Sequence, residues 1–256
     1  MVSEPDNDGG IKSAGTSFGI IETIYQNQPI SLTELAAEVD IANSTAYEHI
    51  STLLDSGYIV KRADGYYLSL KFLDRGTKAK EYYQELLDVS EPALEQLVDE
   101  TDEAVNLVVE EHGQAVYIDR RTGERGVPTN SWVGKRKPLH TLSAGKAILS
   151  QLPEERVDEI LDARGLSVST ERAITTREEL YDELEEIRQN GVSFNDRESH
   201  SQIRAVGAPI VVDDRVYGAV SVAGPAMRLT GEYFRQEIAD LLQGAVNEIE
   251  LKLTYH

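Results

Sequence analysis

The chain has 256 residues, of which 45 are acidic and 25 are basic, so its formal net charge at pH 7 is -20. It contains no cysteine, which excludes disulfides, thiolate zinc sites and cysteine nucleophiles, and its five histidines show no metal-ligand spacing. Its start is polar and acidic, unlike a secretory signal, and no apolar run approaches the roughly 20 residues that cross a bilayer. We therefore expect a cytoplasmic protein without a membrane span, a bound metal or a cofactor.

The acidity has three interpretations: a solvated surface, an acidic interaction tail, or adaptation to a salty cytoplasm. A tail requires a block of charge, whereas the acidic residues here are dispersed along the chain. Arginine outnumbers lysine by 16 to 9, which mildly favours the third interpretation, and we expect a halophilic archaeal source. At about 1 M salt the Debye length is roughly 3 Å, so the net charge would hardly repel DNA there.

The N-terminal quarter predicts a short leader followed by helices. Residues 1–15 are rich in Gly, Ser, Asp and Asn without periodicity, which predicts a disordered leader. A first helix then places apolar residues at Phe18, Ile20, Ile21 and Ile24 and ends before Pro29. The stretch SLTE, beginning at Ser31, is a capping box, so a second helix should start there.

A third helix and a hairpin follow. The helix should be capped by Asn43 or Ser44 and stop at Gly57, with Ala46, Ile50, Leu53 and Leu54 facing inward. Residues 58–62 and 66–70 predict two short strands, joined by the tight turn Ala-Asp-Gly. Three short helices and a hairpin predict a winged helix-turn-helix domain over residues 16–75.

In that motif the third helix enters the major groove of DNA. Polar residues lie off its apolar stripe near the N-terminal end, where side chains reach base edges: Asn43, Ser44, Thr45, Tyr47 and His49. Lys61 and Arg62 on the wing could contact the phosphate backbone. A helical bundle whose polar face is merely solvated remains the alternative.

The rest of the chain predicts a linker helix and an α+β domain. Residues 76–100 are helical in pattern, with a helix restart at Pro92. Residues 101–256 contain strands near 104–110, 114–120, 208–212 and 216–222, and helices near 143–150, 154–163, 176–190 and 231–253. An antiparallel sheet with flanking helices is the expected architecture.

Two stretches invite chemical interpretation. HTLSAGKAILS (140–150) lacks the first glycine and the hydroxyl residue of a phosphate-binding loop. Its Ser-Ala-Gly segment is equally compatible with a small-anion site at a helix N-terminus and with a plain helix start.

The basic cluster between Arg120 and Lys137 favours a salt-bridged surface over a subunit contact or an anion-attracting rim. His140 and Ser143, and likewise Asp196 and Ser199, are three residues apart, but nothing organises a nucleophile.

The sequence resembles IclR-type transcriptional regulators over roughly residues 16–252, in unbroken order. The matching segments include STAYEHISTLLDSGYIVKRADGYYLSLKFLDRG, PLHTLSAGKAILSQLP, NGVSFNDRE and GAPIVVDDRVYGAVSVAGPAMRL. The resemblance implies an N-terminal DNA-binding domain, a C-terminal GAF-like effector domain, a homodimer or homotetramer, and a catabolic small-molecule effector. It also implies an effector pocket lined by Leu142, Ser143, Ala144, Asn195, Asp196, Ala205 and Ser221.

The resemblance and the residues together predict a regulator that binds a near-palindromic operator and responds to a small organic acid or sugar acid. Because a carboxylate at Asp196 would favour a hydroxyl donor, a hydroxy, keto or sugar acid is expected. Three positions depart from the family pattern: Glu48 replaces a common arginine, Gln202 a glycine and Ala223 a serine. An enzyme with a DNA-binding appendage, and a degenerate member that only oligomerises, are the competing hypotheses.

Overall fold

The computed structural model describes residues 10–126 and 131–255, and it divides the chain into two compact units, Met1–Glu81 and Tyr82–His256. The first unit contains four helices and one hairpin in its described part. Their bounds are α1 Lys12–Asn27, α2 Leu32–Glu38, α3 Asn43–Asp55, β1 Ile59–Arg62, β2 Gly65–Leu68 and α4 Lys71–Lys80. This order of elements is the winged helix-turn-helix that the sequence predicts.

The first unit is built around one apolar core to which every element up to β2 contributes. Its buried centre includes Ile20, Ile24, Leu35 and Ile50. The capping box of α2 is confirmed: the Glu34 amide donates to the Ser31 hydroxyl at 3.3 Å, and the Ser31 amide donates to the Glu34 carboxylate at 2.9 Å. The start of α2 is therefore determined locally.

Two expectations for this unit are wrong. Helix α1 begins at Lys12, so residues 12–15 are not part of a leader, while residues 1–9 lie outside the described residues. The residue that caps α3 is Ala42, which makes no side-chain capping bond, and Asn43 is already the first helical residue. The polar residues at the start of α3 therefore remain free to face outward.

The second unit contains a six-stranded sheet and five helices in its described part. Their bounds are α5 Gln84–Thr101, β3 Ala104–Glu111, β4 Gln114–Thr122, β5 Arg136–Pro138, α6 Ser143–Gln151, α7 Glu154–Arg164, α8 Arg177–Asn190, β6 Ser193–Asp196, β7 Ile203–Val212, β8 Arg215–Pro225 and α9 Ile238–Tyr255. The prediction that a helix restarts at Pro92 is wrong, because that proline lies inside α5. The interruption between α4 and α5 is a 3-10 turn at Glu81–Tyr83. The predicted capping box of α8, from Thr176 to Glu179, is confirmed.

The sheet is antiparallel throughout, in the order β5-β4-β3-β8-β7-β6. One face packs against α5 and α9 through residues such as Val105, Val222 and Leu242. The other face packs against α6, α7 and α8, through residues such as Val108, Ala219 and Leu180. Because side chains alternate along a strand, neighbouring residues of β8 belong to different cores.

Two short edge strands, β5 and β6, were not predicted from the sequence. Each is three or four residues long, which is too short to show a periodic pattern. Within the two described ranges, no helix is long and apolar enough to cross a membrane. The same residues contain no group of three or more His, Asp or Glu side chains that could hold a metal ion.

Candidate functional site

Helix α3 presents an exposed polar face beside the wing. Asn43, Ser44 and Glu48 are exposed, Tyr47 is 63% exposed, and Thr45 is half-buried. The opposite side of the helix is held in the core by Ala46, Ile50 and Leu53. A helix anchored on one side, with an N-terminal half that projects polar side chains outward, has the geometry required to enter the major groove.

His49 does not belong to that exposed face. It is half-buried, and its Nδ1 lies 2.8 Å from the Ser17 hydroxyl of α1. The His49 ring is thereby partly turned toward α1, and its role as a base-contacting residue stays a prediction. The hydrogen bond between His49 and Ser17 links α3 to α1.

The wing carries two cations without acidic partners. Lys61 and Arg62 are exposed and stack over the rings of Tyr66 and Tyr67, at 5.6 and 4.8 Å from the ring centroids. Neither is joined by a salt bridge to a carboxylate among the described residues. Six of the seven basic residues of positions 1–81 lie between positions 61 and 80. The positive charge of an otherwise acidic unit is therefore concentrated on the wing and α4, where phosphate contacts are expected.

The second unit contains a polar cavity of about 250 Å³ between the sheet and the N-terminus of α6. Six of the seven effector-site residues predicted from the resemblance line this polar cavity: Leu142, Ser143, Ala144, Asn195, Ala205 and Ser221. Ala223, one of the three departures from the family pattern, lines it as well, whereas Gln202 does not. The Ala223 departure therefore alters the cavity wall directly.

Close backbone packing brings the N-terminus of α6 onto the sheet. A Cβ at Gly207 would lie 2.6 Å from the Ser143 carbonyl carbon, and one at Gly145 would lie 2.0 Å from the Leu139 carbonyl oxygen. Only glycine allows both approaches. Asn195 donates a hydrogen bond to the Thr141 carbonyl at 2.5 Å, which holds the connection before α6 against β6. The first amides of the helix are thereby brought to the cavity wall.

Asn106 is the most informative side chain in the polar cavity. It is 3% exposed, and its Nδ2 lies 3.4 Å from the Ser221 hydroxyl. Its Oδ1 has no hydrogen-bond partner among the described residues. An unpaired buried amide oxygen is costly, about 1–3 kcal/mol, unless a ligand or water satisfies it. Asn106 therefore marks a position where a bound molecule is expected to form a hydrogen bond.

The lining of the polar cavity has an unusual charge composition. Its seventeen described residues include no Asp or Glu, although the composition of the chain would place about three there by chance. They do include Lys137, whose ammonium lies 5.8 Å from the centroid of the Tyr117 ring and forms no salt bridge with a described carboxylate. Burial, and to a smaller extent nearby Lys135, lowers the pKa of Lys137, and burial raises that of Tyr117 to about 12. The cavity thus favours an anion.

Asp196 does not line the polar cavity, and its prediction as an effector contact is wrong. Along β6 the side chains alternate, so Asn195 faces α6 while Asp196 faces the other side of the sheet. Its carboxylate accepts from Arg204 at 2.6 Å and from Arg197 and Arg172 at 3.0 Å each. The hydrogen bond from Arg204 is the main cause that lowers the pKa of Asp196 to about 2.

A buried ion cluster stabilises the connection between β6 and β7. Lys146 of α6 is fully buried and pairs with Glu198 at 2.7 Å and with Glu183 of α8. Glu198 directly precedes Ser199 and His200, which line the polar cavity. The lysine of the GKA segment is therefore a structural cation that holds a cavity-lining loop.

Three of the six basic residues between Arg120 and Lys137 form surface ion pairs with described carboxylates. Arg121 contacts Glu91, Glu95 and Asp119, and Arg125 and Arg136 pair with Asp102 and Glu111. The salt-bridged interpretation holds for these arginines. The other three members form no salt bridge with a described carboxylate: Arg120 donates to the Ser131 hydroxyl at 3.2 Å, Lys135 lies 4.4 Å from the Trp132 ring centroid, and Lys137 lines the polar cavity.

Sequence reasoning missed both Asn106 and Lys137. Asn106 is the one polar residue within AVNLVV, and a lone amide inside a buried strand was a usable signal. In the sequence Lys137 is one member of the basic cluster, and nothing there separates it from its neighbours. Strand alternation in β5 would have separated it from Arg136, but β5 was itself not predicted. His140 and Ser143 do not form a catalytic pair, because the His140 ring bonds the Ser167 carbonyl at 3.0 Å.

A winged helix with an exposed third helix and a cationic wing, joined to a domain with a polar cavity, defines a ligand-responsive DNA-binding regulator. Family models agree with both halves: residues 82–251 match the bacterial transcriptional regulator IclR C-terminal domain, and residues 15–60 match a winged helix-turn-helix DNA-binding domain. The chain belongs to the IclR family, whose members are transcriptional regulators and not enzymes. Its second unit is the GAF-like effector domain of that family.

Individual relatives match over nearly the whole chain. The probable HTH-type transcriptional regulator ArcR of Halobacterium salinarum is 31% identical over 261 residues, covering 99% of each protein. The crystal structure of the Thermotoga maritima IclR is 28% identical, with a TM-score of 0.75 over 96% of this chain and 100% of that one. An IclR homolog from Microbacterium hydrocarbonoxydans, complexed with 4-hydroxybenzoate, is 20% identical, with a TM-score of 0.77 over 95% and 100%.

Proposed function

We propose that this regulator binds a near-palindromic operator as a homodimer or homotetramer, and that a small organic acid bound in the polar cavity changes its affinity for that operator. The genes it controls would belong to the catabolism of that acid. The proposal that the effector is an acid rests on the absence of any acidic side chain from the described cavity lining, which includes Lys137, an ammonium without a salt bridge to a described carboxylate. A chain with a net charge of -20 that keeps carboxylates out of one cavity is suited to an anion there.

The hydroxylated nature of the acid rests on different residues from those first expected. Asp196 is engaged by three arginines, so it provides no contact for a hydroxyl donor. Asn106, Asn195 and Ser221 supply amide and hydroxyl groups instead. The family member complexed with 4-hydroxybenzoate, itself a hydroxylated carboxylic acid, supports a ligand of this general kind.

Pairing of the DNA-binding units is supported by an apolar stripe on α1. Ile11, Phe18 and Tyr25 follow one another at seven-residue spacing and are 75%, 70% and 42% exposed. Seven residues make about two helical turns, so Phe18 and Tyr25 share one face of α1, while Ile11 directly precedes the helix. Ile24, on the same helix, is fully buried in the core and is not available for pairing. A two-fold pair of recognition helices would match two half-sites.

The test combines operator identification with effector identification. Genomic footprinting at high salt, with and without a panel of organic acids, should reveal paired half-sites whose protection changes with one acid but not with its neutral amide. Phe18→Asp should produce monomers in light scattering and lose cooperative protection of the second half-site. Gln26→Asp, which adds the same charge elsewhere on exposed α1, is the matched control. A single protected half-site bound by wild-type monomers would contradict the dimer, and protection that no acid changes would contradict the effector.

A further inference from the structure

The polar cavity has two distinct polar features that nothing in the family match assigns: the ammonium of Lys137 and the unpaired amide end of Asn106. We infer that these two residues determine effector specificity, with Lys137 binding the carboxylate of a hydroxycarboxylic acid and Asn106 binding a hydroxyl group of the same molecule. This inference rests on the proposed function and names the ligand class for that same site.

The two residues lie in different parts of the cavity, so they cannot both serve one small group. Lys137 is on the edge strand β5, where it pairs in register with Ala115 of β4. Asn106 is on the central strand β3, opposite Arg120 of β4 on one side and Ser221 of β8 on the other. The two strands lie about 10 Å apart across the sheet, and the partner positions on β4, Ala115 and Arg120, are five residues apart along it, so the backbones are roughly 15–20 Å apart. A ligand that satisfies both residues needs polar groups at two ends.

Lys137 selects the charge at one end. The ammonium is partly buried, lies beside the Tyr117 ring and has no carboxylate partner among the described residues. A charge-assisted hydrogen bond to an anion would compensate its desolvation, and no lining carboxylate competes for it. A neutral ligand would leave the same cation uncompensated, which is the physical basis of the selection.

Asn106 selects a hydroxyl group at the other end, whichever way its amide is oriented. With Nδ2 toward Ser221, the unpaired atom is an oxygen that accepts from a hydroxyl. With the amide turned over, the unpaired group is an NH₂ that donates to a hydroxyl oxygen. A hydroxyl is both donor and acceptor, so it fits either arrangement, whereas a methylene fits neither.

The experiment uses isothermal titration of the full-length protein with three matched six-carbon probes and shorter homologues. Gluconate has a carboxylate and hydroxyls, glucitol has hydroxyls without the charge, and hexanoate has the charge without hydroxyls; glycerate and threonate extend the first class to shorter chains. Wild type should bind at least one aldonate about tenfold or more tighter than glucitol or hexanoate. Glycerol 3-phosphate distinguishes a carboxylate site from a general anion site, because a site shaped for a carboxylate binds at least one aldonate more tightly than a phosphate ester, whereas a general anion site does not.

Variants then assign each preference to its residue. Lys137→Met should remove the preference for aldonate over glucitol, and Lys137→Arg should restore it in large part. Asn106→Leu should remove the preference for aldonate over hexanoate without changing the charge preference. Lys135→Met is the matched control, since it deletes a lysine two residues away that does not line the cavity. Circular dichroism and the dimer mass confirm that each variant is folded.

The outcomes separate this inference from the proposed function. If wild type binds glucitol, hexanoate or the phosphate ester as tightly as every aldonate, the ligand class is wrong. If Lys137→Met keeps the full preference for aldonate over glucitol, the assignment of Lys137 is wrong. In either case operator binding that still changes with some other acid would leave the proposed function standing.

Discussion

Replacing Lys146 with methionine should destabilise the effector domain strongly at neutral pH, because it leaves a buried carboxylate without its cation. Lys146 is fully buried, and the Glu198 side chain, 2.7 Å away, is only 11% exposed. Removing one partner of a buried ion pair costs about 3–5 kcal/mol, since the remaining charge keeps its desolvation penalty. Lys252→Met breaks an exposed pair with Glu248 on α9, and a loss of no more than about 0.5 kcal/mol is expected there.

The pH dependence of the Lys146→Met variant provides a second signature. Burial raises the pKa of Glu198 above its usual value, and the charge of Lys146 partly opposes that rise. Without Lys146 the pKa of Glu198 in the folded state should rise further. A carboxyl group whose folded pKa is raised costs stability as pH increases through that pKa, so the deficit of the variant should shrink between pH 7 and pH 5. Glu198→Gln in the same chain should recover part of the loss at pH 7.

Urea unfolding followed by the fluorescence of Trp132 measures this effect in the right unit. Trp132 is the single tryptophan of the chain and lies in the effector domain, so its signal does not report on the winged helix. The variant should also bind its effector more weakly, because Glu198 precedes the cavity-lining Ser199 and His200. A deficit below about 1 kcal/mol at pH 7, or one that grows as the pH falls, would refute the buried-pair reasoning.

Four further outcomes are expected. Lys61→Ala or Arg62→Ala should weaken binding to all DNA sequences alike and lower the magnitude of the salt slope in gel-shift titrations by about one, and an unchanged slope would contradict the phosphate contact. Glu48→Gln should raise non-specific affinity most in dilute buffer, because an exposed carboxylate on the groove-facing helix opposes phosphate; equal affinities at every salt concentration would contradict this. Ala144→Trp should abolish the effector response while operator binding is retained, and a normal response would place the effector elsewhere. The melting temperature should rise between about 0.1 M and 2 M KCl if the acidic surface reflects a halophilic source, and a constant value would exclude that interpretation.

The fold was predictable where periodic patterns and caps are strong. The capping boxes at Ser31 and Thr176 set the starts of α2 and α8, and the long apolar stretches around Val108 and Val220 form the central strands. The predictions of secondary structure fail where the sequence pattern is too short to be periodic, or where tertiary packing overrides a local preference. Pro92 was expected to restart a helix, yet α5 continues through it because the apolar residues on both sides pack into one core.

For the candidate effector site, the sequence does not determine on which face of the sheet a side chain lies. Ser143, Ala144 and Ser221 could be assigned because they stand in recognisable segments, but the face on which a side chain lies depends on strand register. One position separates Asn195, which lines the polar cavity, from Asp196, which does not. In a strand a shift of one residue moves a side chain to the opposite face of the sheet.

The two binding surfaces of this regulator should respond differently to salt, and the reason lies in where their cations are placed. Lys61 and Arg62 are exposed on the wing, so their attraction to phosphate is screened within roughly 3 Å at 1 M salt and acts only at direct contact. The same screening suppresses the repulsion between DNA and a chain whose formal net charge is -20. Lys137 lies partly buried in a cavity without acidic groups, where salt ions screen an ion pair much less. Effector binding should therefore keep its strength across salt concentrations that change operator affinity by orders of magnitude, which lets a regulator in a variable ionic environment report the concentration of its ligand.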